Sequence, residues 1–301
     1  MIDCKQACFS TNNINNLWLI LNRIIVLCNS LLRVIFASKL NFMRKTVQNL
    51  LLIDKKQLNK DNFLLKLQSE NTFDTIYPGQ FVNIEIKKAT EIFLRRPFSI
   101  LDVDYKNRTF SLLVKILGRG SKVLTEYVPG DIISTVFPLG KSFSLPEKNE
   151  KVLLIGGGSG VAPMLFLAKI CGLNPFSVHI IFGGKSESDL IATTEYEQFG
   201  NFYYTTEDGS KGEKGFVTNH SLFTGNLKSF DKIYTCGPLP MMKSIARVAY
   251  ANNIFCEVSL ENTMACGIGV CLCCVEDTKQ GNKCVCTEGP VFNINDLKWQ
   301  I

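Results

Sequence analysis

A chain of 301 residues, 46% of them hydrophobic, is long enough for two or three domains with a sizeable buried core. The formal net charge of +6 is mild, no run of five basic residues occurs and no basic–aromatic ladder is present, so nothing points to nucleic acid. Only two histidines, His179 and His220, leave little ground for a His-rich metal site or a histidine dyad. Six of the twelve cysteines fall between 266 and 286, local crowding that suggests a metal site in a reducing compartment rather than a disulfide framework.

Residues 1–42 differ from the remainder. The stretch from Leu17 to Ala37 is very apolar, yet Arg23 and Arg33 interrupt it. A spanning helix needs about twenty mainly apolar residues, and an arginine at its centre costs on the order of 3 kcal/mol. A signal peptide would show a small-residue cleavage site, and none stands out. An interfacial helix would need a one-sided basic face. The favoured expectation is that Met43 is the genuine start; membrane contact is expected only if residues 17–37 are retained.

From Met43 to residue 148, short alternating runs read as half-buried strands: 62–67, 80–86, 98–103, 109–116 and 131–136, with turn signals at Tyr77-Pro78-Gly79-Gln80 and Pro129-Gly130. Such a series predicts a small antiparallel barrel. Arg95-Arg96-Pro97-Phe98-Ser99 precedes one of these strands, and an arginine clamped beside a proline can meet a phosphate bidentately. A surface strand entry explains the pentapeptide equally well. Gly118-Arg119-Gly120-Ser121 reads as a loop or a second phosphate cradle.

After the charged link Glu147-Lys148-Asn149-Glu150 the pattern changes, and residues 149–255 read as an α/β domain with a parallel sheet. Lys151–Ile155 is a continuous apolar run fitting a doubly covered strand. Gly156-Gly157-Gly158-Ser159-Gly160 follows, then a helix from Ala162 to about Cys171: strand, glycine loop, helix, the arrangement that offers backbone N–H groups to a pyrophosphate. Further strands are expected at 178–182, where His179 is a packed position, and at 202–206 and 232–235. Cys236-Gly237-Pro238 ends the last of these and Pro240 opens a helix. A small thiol and a glycine at that strand end leave room for a flat ring.

The closing segment, 256–301, carries Cys266, Cys271 and Cys274 in the order C-x4-C-x2-C, with a distant fourth thiol. This is plant-type spacing for a [2Fe–2S] cluster. Gly267 and Gly269 suit a loop whose backbone must approach the sulfides closely. Cys286 is the expected fourth ligand and Cys284 the reserve. Four thiolates could also hold zinc, but zinc sites usually pair their ligands as two C-x2-4-C units, which Cys284-Val285-Cys286 does not provide.

Taken together, Arg96-Pro97-Phe98-Ser99, the run Gly156–Pro163, Thr206-Glu207-Asp208-Gly209-Ser210, Lys214-Gly215-Phe216-Val217-Thr218, Cys236-Gly237-Pro238, the run Glu261–Gly269 and Cys286–Phe292 resemble the ferredoxin reductase-like flavoproteins. Within them the chain is similar to the electron-transfer subunits of NAD-dependent dihydroorotate dehydrogenases. The resemblance implies an α+β multidomain fold: an antiparallel β-barrel for FAD, a parallel-sheet domain for NAD(H) and a small C-terminal [2Fe–2S] domain. It implies that Arg96 and Ser99, with Pro97 and Phe98, hold FAD, that Leu113, Val114 and Lys115 lie along it, and that Gly120 and Ser121 give backbone donors. It places NAD(H) at Gly158, Gly160, Cys236 and Gly237, and the cluster on Cys266, Cys271, Cys274 and Cys286. The loop Gly183-Gly184-Lys185-Ser186 carries a lysine that could attract a 2′-phosphate, so NAD over NADP rests on the resemblance. The implied role is cytoplasmic, in pyrimidine biosynthesis: electrons from an FMN-containing catalytic subunit, which oxidises dihydroorotate to orotate, pass through [2Fe–2S] and FAD to NAD+ in a heterotetramer of two copies of each chain. The alternatives are a flavin/iron–sulfur NAD(P)H reductase serving ferredoxin or a sulfur reductase, and a thiol-rich zinc-binding or redox-sensing protein.

Overall fold

The computed structural model describes residues 45–172, 177–191, 194–225 and 227–299, so the apolar stretch 17–37 lies outside the described residues. From Lys45 onward the described residues form one unit. Six strands open it: β1 (Thr46–Gln57), β2 (Asn62–Gln68), β3 (Phe81–Ile84), β4 (Arg96–Asp104), β5 (Thr109–Lys115) and β6 (Ile132–Leu139). They close into an antiparallel barrel in the order β1-β2-β5-β4-β3-β6. Alternation builds the barrel core, because every second residue points inward: Leu50 and Leu52, Leu65 and Leu67, Val82 and Ile84, and Leu112 and Val114 meet there with Ile100 and Phe137. The outward face of β3, Phe81 and Asn83, is buried as well, so something outside the barrel covers it.

Nine strands follow: β7 (Val152–Gly157), β8 (Val178–Gly184), β9 (Asn201–Thr206), β10 (Glu213–Lys214), β11 (Lys232–Cys236), β12 (Phe255–Ser259), β13 (Val275–Thr278), β14 (Gly281–Cys284) and β15 (Val291–Asn293). Seven make one sheet, β10-β9-β8-β7-β11-β12-β15, parallel except for β15, which runs antiparallel to β12. The helix Val161–Cys171 packs on one face and the helix Leu239–Ala251 on the other. Coverage on both faces explains why β7 and β8 are almost wholly apolar. The first of these helices is buried on nearly every side, since it also lies against β4, with Phe166 joining the barrel core and Lys169 Nζ 2.6 Å from Asp102 Oδ1. It thus ties barrel to sheet.

The expected fold class holds, with four differences in detail. β1 is a strand that the expected series lacks. β4 begins at Arg96, two residues before the expected 98, so Arg96 and Pro97 lie inside the strand. Residues 119–124 form a short helix where a loop was expected. Between β8 and β9, where a doubly wound α/β domain ordinarily places a helix, the described residues carry only 3-10 turns. The closing segment is interleaved with the sheet: β12 and β15 are sheet strands, and the β13–β14 hairpin with the cysteines lies between them in sequence. Among the described residues no helix is long and apolar enough to cross a membrane.

Candidate functional site: a cofactor cavity and a cysteine loop

A cavity of ≈ 660 Å³ opens between the barrel and the segment that follows β12. That size is ordinary for a site holding a large cofactor. Arg96, Pro97, Phe98 and Ser99 from β4, Leu113 and Lys115 from β5, and Gly120 and Ser121 at the start of the short helix all line it. Val114 does not: strand alternation turns its side chain into the barrel core, where it is fully buried. The two arginines part company. Arg95 is structural, donating to the Ser134 carbonyl (2.9 Å) and hydroxyl (2.9 Å) and to Glu85 (3.3 Å). Arg96 folds back on the carbonyls of Leu94 (2.7 Å) and Arg95 (3.3 Å) at the cavity wall. A Cβ on Gly120 would lie 2.8 Å from Arg96 Nε, so glycine at 120 makes room for the guanidinium. The Ser121 hydroxyl is already used, accepting from the N–H groups of Leu117 (2.9 Å) and Gly118 (3.1 Å). Arg96, Lys115 and Arg119 with the backbone of the first helical turn fit a flavin dinucleotide's pyrophosphate.

At the ends of β7 and β11 the two remaining glycine motifs meet. Gly158 has φ +57°, the left-handed region that favours glycine. A Cβ on Gly160 would lie 2.2 Å from the Cys236 carbonyl oxygen and 2.6 Å from the Gly237 nitrogen, so loop and turn touch backbone to backbone. Cys236 itself is buried, and burial pushes its thiol well above the usual range, with the Glu261 carboxylate adding to the effect. Its role is thus spatial. Lys115 reaches across from the barrel, its Nζ 3.6 Å from where a Gly158 Cβ would stand.

Glu261 is a site residue that motif reading left without a role. It borders the cavity beside Ser159, and the protein around it raises its carboxyl above the ordinary value, against a hydrogen bond from Ser159 and the nearby Lys115 ammonium. It has accessible surface because it faces the cavity, yet protein encloses it closely enough to disfavour the charge. Only the fold brings β5, the glycine loop and residue 261 together; sequence offered no signal beyond its place in the run Glu261–Gly269.

The cavity wall continues through Asn262, Thr263 and Met264, and Cys266 stands two residues beyond. Two extended residues span at most roughly 7 Å. The cysteine loop wraps its first sulfur: the N–H groups of Ile268 and Cys271 each donate to Cys266 Sγ at 3.4 Å. Burial would raise that thiol, but these donors, with Val270 N–H and the Cys271 thiol, outweigh it and bring it down to about 6. Cys274 is buried, and the Cys286 N–H donates to its Sγ at 3.4 Å. Cys286 is fully buried too, its thiol pushed up to about 12 by burial and by Cys274. Cys273 is exposed, and Cys284 is half-buried in the hairpin opposite Val275. Gly267 and Gly269 have φ +72° and +87°, and a Cβ on Gly269 would press Thr287 at 2.9 Å. Among the described residues no three His, Cys, Asp or Glu side chains are gathered to hold a metal ion as they stand. The donor set of four thiols, N–H groups aimed at sulfur and glycines at the close approaches fits an iron–sulfur cluster.

A closed barrel beside a parallel sheet, a cavity between them and a cysteine loop at its edge define a ferredoxin reductase-like flavoprotein with an iron–sulfur domain. Comparison with known proteins agrees. Residues 49–143 match the oxidoreductase FAD-binding domain, 154–247 the oxidoreductase NAD-binding domain, and 261–298 the iron–sulfur cluster binding domain of dihydroorotate dehydrogenase B. The chain is 37% identical over 248 residues to the dihydroorotate dehydrogenase B (NAD(+)) electron transfer subunit of Fusobacterium nucleatum, covering 80% of this chain and 95% of that one. With the subunit of the same description from Caldanaerobacter subterraneus it shares 40% over 220 residues, 72% of this chain and 85% of the other. Among solved structures, a chain from the NADH-dependent reduced ferredoxin–NADP oxidoreductase aligns with a TM-score of 0.74 and 28% identity, covering 84% of this chain and 90% of that one. The chain belongs to the family of dihydroorotate dehydrogenase B electron transfer subunits.

Proposed function

We propose that this chain serves NAD-dependent dihydroorotate dehydrogenase as its electron-transfer subunit, carrying electrons released by dihydroorotate oxidation on an FMN-containing partner to NAD+. The observation that carries the reading is the continuity of residues 259–264: one segment walls the cavity and then delivers Cys266. Nicotinamide exchanges hydride, iron–sulfur centres exchange single electrons, and FAD supplies the conversion between them. The protein's part is positioning. Arg96, Lys115 and the backbone of Gly120 and Ser121 hold the flavin dinucleotide, with Pro97, Phe98, Ser99 and Leu113 shaping its wall. Gly158 and Gly160 keep backbone close to the nicotinamide nucleotide's phosphates, while Cys236 and Gly237 leave space for its ring. Cys266, Cys271, Cys274 and Cys286 ligate the cluster. Residues 43–148 carry most of the flavin site, 149–255 the nicotinamide site and 256–301 the cluster, with residues 259–264 completing the flavin cavity wall. Because the relay moves electrons, it needs no histidine base, in keeping with the remote, packed positions of His179 and His220.

The cysteine loop also faces outward. Ile268, Val270 and Leu272 expose 45%, 75% and 62% of their surface within five residues of one another, an apolar tip suited to a catalytic partner in a cytoplasmic assembly of two copies of each chain. A second reading draws on the likeness to the ferredoxin–NADP oxidoreductase: the same relay with a ferredoxin as the single-electron partner. Reconstitution separates them. The chain alone should reduce artificial acceptors with NADH and leave dihydroorotate untouched, and adding the FMN subunit should yield dihydroorotate-dependent NADH formation. Dihydroorotate turnover by the chain alone, or none with the partner present, would overturn the assignment.

A further inference from the structure

Asn83 has no role in the site described so far, yet it sits where the barrel meets the cysteine loop. It is fully buried on the outward face of β3, opposite Pro97 of β4. A buried primary amide costs free energy unless its groups are paired. Its Nδ2 donates to the Cys266 carbonyl at 3.2 Å, while its Oδ1 is buried without a partner among the described residues. The fit is tight from the loop side too: a Cβ on Gly267 would lie 2.6 Å from that Nδ2. The contact is flanked by the cavity on both chains of residues. Phe81, two positions earlier on the same strand face, lines it, and so does Met264, two positions before Cys266. The Asn83 carbonyl in turn accepts from Arg95 Nη1 at 3.4 Å, next to the arginine of the cavity wall.

We infer that Asn83 is a positioning residue for the iron–sulfur centre: its amide fixes the Cys266 carbonyl against the barrel, and thereby sets both the cluster's reduction potential and its spacing from the flavin. The path is short. Holding the Cys266 carbonyl orients the peptide that begins the loop, and the loop carries the Ile268 and Cys271 N–H groups that donate to Cys266 Sγ. Donors to sulfur favour the reduced cluster, so slackening the loop lowers the potential. Removing a partner one shell beyond a metal's ligands typically costs about tenfold or more in affinity or activity.

The inference rests on the iron–sulfur reading, and the test keeps the two apart. Asn83→Leu removes the amide at similar volume, and Asn83→Asp turns the donor into an acceptor facing a carbonyl. Redox titration of the purified holoprotein followed by electron paramagnetic resonance should give midpoint potentials falling in the order wild type, Leu, Asp. Single-turnover reduction of the cluster by NADH should slow about tenfold in the Leu variant, with the flavin midpoint unchanged. Gly267→Ala strains the same contact from the other side and should shift the potential in the same direction; it carries the test if the Asn83 variants do not fold. Wild-type potential, spectrum and reduction rate in variants with a full iron complement would overturn the inference alone. A wild-type protein without iron would instead overturn the reading beneath it.

Discussion

Gly160→Ala isolates the contact on which the nicotinamide half of the site depends. Gly160 has φ −65° and ψ −7° at the start of a helix, a conformation alanine adopts freely, so backbone strain contributes nothing. Space decides. The new methyl carbon would stand 2.2 Å from the Cys236 oxygen, 2.3 Å from its carbonyl carbon and 2.6 Å from the Gly237 nitrogen, against 3.4 Å for ordinary contact. Those are main-chain atoms, and the strands beneath them are paired in register, Cys236 with Gly156, so no rotamer change relieves the clash. Glycine loop and Cys236 turn must separate by roughly 1 Å, a kind of overpacking that costs about 1–3 kcal/mol. If half of that, about 0.5–1.5 kcal/mol, falls on nucleotide binding, the KM for NADH rises about two- to twelvefold. Gly160 is not among the residues lining the flavin cavity, so FAD content should match wild type. The assay is NADH oxidation with an artificial acceptor, alongside flavin absorbance and thermal unfolding, where each kcal/mol lowers Tm by about 2–4 °C. Wild-type KM together with wild-type Tm would refute the reasoning.

Four further outcomes are expected. Cys286→Ser should abolish the iron–sulfur absorbance and the acid-labile sulfide, whereas Cys284→Ser should retain both; the reverse result would move the fourth ligand to the hairpin. Arg96→Ala should lose FAD on gel filtration with the barrel intact. Arg95→Ala should keep FAD but lose about 1–3 kcal/mol of stability in denaturant titration, because the Ser134 hydroxyl loses its donor and the Ser134 carbonyl keeps only the Glu85 N–H. Glu261 gives a pH signature. Its folded-state pKa lies above the ordinary 4.5, so the folded form binds its proton more tightly than the unfolded chain does. The stability this contributes is complete below that value and is lost as pH rises through the raised one. Glu261→Gln should flatten that part of the stability curve and gain on wild type toward neutral pH, measured by urea midpoints in the flavin-free protein. A variant with the wild-type pH dependence would contradict it.

How much of this was legible beforehand depended on whether the signal is local. The C-x4-C-x2-C order, the strand–glycine-loop–helix run and the Arg96–Ser99 tetrapeptide are short-range patterns, and the structure sets the glycine loop at a strand end and the tetrapeptide at the cavity wall. β1 escaped because Leu50-Leu51-Leu52-Ile53 is a continuous apolar run with an irregular register at Leu52/Asp54 instead of a clean alternation. Its two faces differ only in degree, Leu50 and Leu52 fully buried and Leu51 and Ile53 half-buried. Val114 was grouped with its neighbours along strand β5, where alternation sends it to the opposite face. Asn83 and Glu261 could not be found by pattern. An asparagine alternating with Val82 and Ile84 reads as a solvent-facing position, and only the cysteine loop 183 residues later buries it. Glu261 likewise owes its raised carboxyl to burial by the assembled fold, which outweighs the hydrogen bond from Ser159 of the glycine loop and the Lys115 ammonium.

The most direct measurement is electron paramagnetic resonance of the anaerobically purified chain, frozen after mixing with stoichiometric NADH, with iron, sulfide and flavin determined on the same sample. The expected result is the signal of a reduced two-iron cluster in protein containing FAD, iron and inorganic sulfide. Protein that binds FAD and oxidises NADH yet holds neither iron nor sulfide after reconstitution would contradict the relay at its middle step.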